Sequence, residues 1–142
     1  MLIMLADARR RLAATADRAV VQYMIHALRA LWLAWALKLA VPAFLWAREP
    51  RWPRDYFDTQ LITDQLVMAG LALLPIAFSL GKRRPLLWVL IGISGLWALY
   101  FFLSLAAGDE GVWYLARLPP AIGLVVSVLT VRWARGQLQK SR

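Results

Sequence analysis

The chain has 142 residues with 61% hydrophobic residues, a formal net charge of +9, no cysteine and a single histidine, His26. The missing cysteines exclude disulfides, thiolate metal sites and thiol chemistry, and one histidine excludes poly-histidine metal centres. A soluble domain has about half its residues apolar; here the excess is gathered into long runs, and four spans of roughly 20 residues each leave no room for a separate soluble domain.

The first proline is Pro42 and the first glycine Gly70. The opening segment is therefore free of helix breakers and rich in Ala, Leu and Arg, all good helix formers. Met1–Leu5 is apolar, but Asp7 and Arg9-Arg10-Arg11 follow at once. That leaves no hydrophobic region of signal-peptide length, and the N-terminus is expected to be retained. On a helical wheel Asp7, Arg11, Arg18, Gln22 and Arg29 fall on one stripe. Leu5, Leu12, Ala16, Val20, Tyr23, Met24 and Ala27 fall opposite, and Arg9 interrupts the apolar side. Residues 1–29 are predicted to form an amphipathic helix, either lying on the inner leaflet or continuing the first span into the cytoplasm. Leu5, Leu12, Val20, Tyr23 and Met24 are its candidate membrane-surface or partner contacts.

The first span is predicted at 30–47, with Lys38 as its only charge. A charged loop with Pro50 and Pro53 follows. The second span is predicted at 61–80 and contains Asp64, Gln65 and Pro75. Gly81-Lys82-Arg83-Arg84-Pro85 forms a basic turn, and the uncharged third span covers 86–107. After the acidic turn Gly108-Asp109-Glu110-Gly111, the fourth span is predicted at 112–131. Arg117 and Pro119-Pro120 interrupt it, implying a kinked or partly unwound start. The basic segment from Arg132 is expected to be a tail too short to fold. The fold class is thus all-α: a single polytopic membrane domain of four transmembrane helices preceded by an amphipathic helix.

Charge gives the orientation. Twelve Lys and Arg, in the N-terminal segment, the second loop and the tail, fall on one side of a four-span chain; the other side has Arg48, Arg51 and Arg54 set against five carboxylates. The positive-inside rule places both termini in the cytoplasm, as for a multi-pass protein of a bacterial inner membrane. The net charge is then explained by topology and by attraction to anionic lipid head groups, and nucleic acid is not expected as a partner. Trp46, Trp52, Tyr56, Trp113 and Tyr114 near the outer ends, and Trp32, Trp88 and Trp133 near the inner ends, read as interfacial anchors.

Ionisable groups inside spans are costly and need a partner or water. Lys38, mid-span, is either an ion, proton or anionic-lipid site, or a lysine paired with a neighbouring helix or partner subunit. Asp64 and Arg117 start from the same outer side at similar depth and are expected to pair across the second and fourth helices, with Gln65 bonding another neighbour. Small residues four apart, at Ala77/Gly81, Ser104/Gly108 and Gly123/Ser127, predict close helix contacts. His26 reads as interfacial. No phosphate loop, metal-ligand cluster or nucleophile-and-base set is recognisable, so neither an enzyme nor a cofactor is expected.

The size and four-span plan are similar to those of small multidrug transporters, fluoride channels and polyprenyl-glycan flippases. The first span here carries Lys38 where the multidrug transporters carry a glutamate, and no residue role transfers. The expected function is a non-enzymatic accessory or assembly subunit of a larger membrane complex. The alternative is a small oligomeric transporter or lipid/glycan flippase using Lys38, Asp64 and Arg117.

Overall fold

The computed structural model describes the backbone of residues 2–49, 56–107 and 114–140, and the side chains of 11–49, 59–107 and 117–140. Four helices account for almost all of it: α1 (Leu2–Arg48), α2 (Tyr56–Leu80), α3 (Arg84–Ala106) and α4 (Tyr114–Lys140). They form an all-α bundle in which α1 packs on α2 and α3 on α4. These two pairs are joined by smaller α2–α3 and α1–α4 contacts.

The buried positions follow the helical repeat. On α3 they are Leu87, Leu90, Ser94, Trp97 and Phe101, stepping by three and four residues, the spacing that keeps one stripe facing a partner helix. On α1 they are Ile25, Leu28, Trp32, Ala36 and Ala43, and on α2 they include Ile62, Ala69 and Ala72. The small alanines allow α1 and α2 to approach closely, the main source of helix–helix attraction where lipid is as apolar as the side chains. Of the predicted small-residue pairs, Gly123/Ser127 lies in the packed interior: Ser127 is fully buried, and a Cβ on Gly123 would stand 2.5–2.7 Å from the Phe101 ring.

An aromatic cluster occupies the centre. Trp97 stacks on Phe101 with centroids 5.4 Å apart, Trp32 meets Trp97 edge-on at 5.7 Å, and Trp35 meets Phe101 edge-on at 4.8 Å. Hydrogen bonds extend this cluster to the other two helices. Trp32 Nε1 donates to Thr130 Oγ1 of α4 at 3.1 Å, and Trp97 Nε1 donates to the Leu71 carbonyl of α2 at 3.3 Å. The second bond has a specific cause. Pro75 lies inside α2 and has no N–H to offer the carbonyl four residues back, which is Leu71. An unpaired carbonyl is costly in a membrane, and the Trp97 indole supplies the missing donor.

The amphipathic segment and the first span are one helix, so of the two arrangements expected the N-terminal segment takes the one that continues the span; other expectations are corrected. All side chains from Arg11 to Val20 are exposed, so the start of α1 projects beyond the bundle as an arm. The expected tail is helical to Lys140, because Trp133, Ala134 and Leu138 continue the buried stripe of α4. The α4 helix also runs unbroken through Pro119 and Pro120. Trp32 and Trp133 are core residues, 2% and 7% exposed, and not interfacial anchors; Trp88, 63% exposed, fits the anchoring role. The other predicted anchors apart from Trp46, and both outer loops, lie outside the described side chains.

Among the described residues, α1 over Arg11–Arg48, α2 over Thr59–Leu80 and α3 are long and apolar enough to cross a membrane. Among the described residues α4 does not meet that measure, because Arg132 and Arg135 shorten its apolar run, but it packs in the same bundle through the Gly123–Phe101 contact and the Trp32–Thr130 hydrogen bond.

The Trp97–Leu71 bond predicts a coupling. Trp97→Phe should lower stability by about 1–3 kcal/mol, the cost of a buried carbonyl left unpaired. In a Pro75→Ala background the helix supplies its own N–H, and the same change should cost clearly less. A double-mutant cycle of thermal unfolding in detergent measures this, and equal costs in both backgrounds would remove the repair role of Trp97.

Candidate functional site

The residues singled out in the spans do not share an interior cavity. Lys38, Asp64 and Arg117 are all exposed, and Gln65 is half-buried on α2. The expected Asp64–Arg117 pair does not form. The helices that carry them, α2 and α4, are not among the packed neighbours of the bundle. Equal depth is not enough when two helices stand diagonally across a four-membered ring.

Lys38 has the most distinctive surroundings. It lies nine residues above Arg29 and ten below Arg48, or about 14 and 15 Å along the helix axis, which is mid-depth in a hydrocarbon layer of about 30 Å. Its side chain lies on the outer surface of the bundle, with Nζ 4.7 Å from the centroid of the Trp35 ring. The indole face offers a cation partial compensation. A groove of about 400 Å³ opens beside it between α1 and α4, floored by Phe101 and walled by Leu31, Trp35 and Lys38 on one side and Leu118, Pro119 and Ile122 on the other. It exists because α1 and α4 touch least among the neighbouring helices, and because Gly123 draws α3, rather than α1, against α4.

The groove and its rim carry three polar features. Lys38 presents an ammonium. Trp35 Nε1 is buried and has no hydrogen-bond partner among the described residues. Pro42 lies one turn beyond Lys38 within α1 and has no N–H to give the Lys38 carbonyl. An ammonium, an indole donor and a backbone carbonyl without its helical donor are therefore gathered at mid-depth, beside an apolar groove that opens to the membrane. Sequence reading found Lys38, and Pro42 as one of the prolines able to free a carbonyl within a span, but missed Trp35. The signal was present as an aromatic three residues before the lysine.

The proposed contact face of the N-terminal segment divides. Leu12, Val20 and Tyr23 are 69%, 66% and 77% exposed, so they are available to lipid or a partner. Met24 is half-buried against the bundle core, and the side chain of Leu5 lies outside the described residues. Arg29, from the polar stripe, turns back to α2: its Nε donates to Ser79 Oγ and its Nη2 to the Ser79 carbonyl, both at 2.8 Å. This caps the C-terminal end of α2 with a cation, where the helix dipole favours one.

No group of His, Asp, Glu or Cys able to hold a metal ion occurs among the described residues. Compared with protein-family models, curated proteins and solved structures, the chain matches none.

Because Asp64 and Arg117 are apart, Asp64→Asn and Arg117→Gln should act independently. Their effects on thermal stability should add to within about 0.5 kcal/mol. A double variant clearly less damaged than the sum of the singles would show that the two side chains meet after all.

Proposed function

We propose that this protein is a non-enzymatic accessory or assembly subunit of a larger membrane complex, in a bacterial inner membrane with both termini in the cytoplasm. The observation that carries this reading is the outward-facing Lys38 at mid-depth. A cation there, with no carboxylate among the described residues that line its groove, gains from compensation supplied from outside the chain. A partner transmembrane helix laid in the α1–α4 groove and carrying an Asp or Glu at mid-depth supplies it. The carboxylate accepts from the ammonium, while apolar side chains of the partner cover Leu31, Leu118 and Ile122. A fully desolvated pair gains little over apolar packing, yet removing one member costs about 3–5 kcal/mol because the other stays behind uncompensated. Such a pair selects the right partner more than it strengthens the contact.

The transport reading requires Lys38, Asp64 and Arg117 on one path. They sit on three different helices with their side chains exposed, and the centre of the bundle is filled by Trp97, Phe101 and Leu90. A path would have to run between copies of the chain, so a purely homo-oligomeric assembly would favour that alternative.

The test is recovery of the complex in mild detergent. Lys38→Met should leave insertion and thermal stability intact while reducing stoichiometric recovery of the partner about tenfold or more. Lys38→Glu should lose the partner and regain it when the partner's mid-span carboxylate is replaced by lysine. Recovery unaffected by either substitution would defeat the subunit reading.

Orientation has a separate check. Reporter fusions after Gly81 and after Arg142 should read cytoplasmic, and fusions near Asp55 and Asp109 external. A cytoplasmic signal at Asp109 would overturn the four-span topology.

A further inference from the structure

At the opposite level of the bundle from the outer loops, α1, the end of α2 and the end of α4 surround a cleft of about 410 Å³ lined by Arg18, Arg29, Lys82 and Lys140, with His26 at its side and no carboxylate among its lining residues. The positive-inside rule explains why basic residues occupy this end of the molecule. It does not explain why four of them, from two helices and a turn, border one concavity, where like charges repel. Arg29 is fixed in place by its two bonds to Ser79. Those bonds use two of the five guanidinium N–H groups and leave the others for a ligand. Lys82 sits in the three-residue turn between α2 and α3, just after Leu80. Gly81 of that turn lies directly against the Leu86 side chain.

From this convergence we propose that the cleft binds a phosphate-bearing anion, and that its source is the head group of an anionic phospholipid. Guanidinium and ammonium groups around a concavity suit phosphate oxygens, with the arginines offering paired donors and the lysines mobile point charges. The lipid source follows from the rest of the lining. Ile25 and Trp133 form an apolar inner wall continuous with the bundle core. Leu80, 67% exposed, stands at the mouth, where α2 ends. A soluble phosphate has no use for such surfaces, whereas the glycerol and first methylenes of a lipid would cover them. This is a built counterpart of the basic pockets between membrane helices that hold anionic head groups, and it is independent of the Lys38 groove.

The test uses the full chain in neutral detergent, with native mass spectrometry and thermal unfolding as readouts. Dioleoyl phosphatidic acid should be retained as a single tightly held molecule, with at least about tenfold preference over dioleoyl phosphatidylcholine. The triple variant Arg18→Gln/Lys82→Gln/Lys140→Gln should lose that preference. The control Arg83→Gln/Arg84→Gln/Arg135→Gln removes the same charge from the same end but outside the cleft, and should keep the preference within about threefold. All six side chains are exposed, so packing is spared; if the triple variant loses its thermal transition, Arg18→Gln/Lys140→Gln is read instead. Equal losses in cleft and control variants would reduce the effect to summed surface charge and overturn the site. Equal binding of the zwitterionic lipid would do the same. Displacement of the lipid by glycerol 3-phosphate at matching concentration would overturn the lipid source.

Discussion

The bundle depends on a single repaired defect. In a membrane each backbone carbonyl must find a donor inside the protein, and Pro75 deprives Leu71 of its own. The replacement comes from Trp97, a little past the middle of α3, and this fixes both the rotation of α3 and its height against α2. With Trp97 placed, its ring orients Phe101 by stacking. Phe101 fills the space over Gly123, and that brings α4 against α3. Trp32 then reaches across to Thr130 and closes the ring from α1. Each step uses a directional contact rather than general greasiness, and that is what specifies one arrangement where helix and lipid are equally apolar.

The same sequence of contacts explains where the bundle is open. Because α4 is drawn to α3 through a glycine, the α1–α4 seam is left shallow, and Lys38 and Trp35 lie along it. The two features that invite a foreign molecule are chemically unlike. The groove at mid-depth is apolar with a lone cation, suited to a helix with one matching carboxylate. The cleft at the basic end has several cations around an apolar wall, suited to a head group. The bundle interior, packed with aromatic rings, offers neither.

The helices and their order were readable from hydropathy, because long apolar runs separated by charged or proline-rich turns have few other solutions. The ends of α1 and α4 were not. Charge alone suggested that the segment before Ala30 and the one after Val131 left the bundle, yet Ile25, Leu28, Trp133 and Leu138 carry the buried stripe past those borders. Depth was legible for Asp64 and Arg117, but lateral position was not, since the order of helices around a bundle depends on contacts such as Trp97 to Leu71 that hydropathy does not encode. Tryptophan was ambiguous for a related reason: at a span end it suits the interface or a core, and only the phase of Trp32 and Trp133 within their stripes assigns them to the core.

A mechanical consequence follows from the unbroken α1. From Leu2 to Val41 it contains no glycine and no proline, and it forms one helix with the membrane span. Lys38 and the tip near Leu2 are 36 residues apart, about 54 Å along the axis. The helix is therefore a lever with its load point at Lys38 and its long arm beyond the packed bundle. A tilt of only about 10° when the groove is filled would swing the tip by about 9 Å at that axial rise. An event buried in lipid would thereby be read at a distance, by whatever meets Leu12, Val20 and Tyr23, with no joint along the way to absorb it.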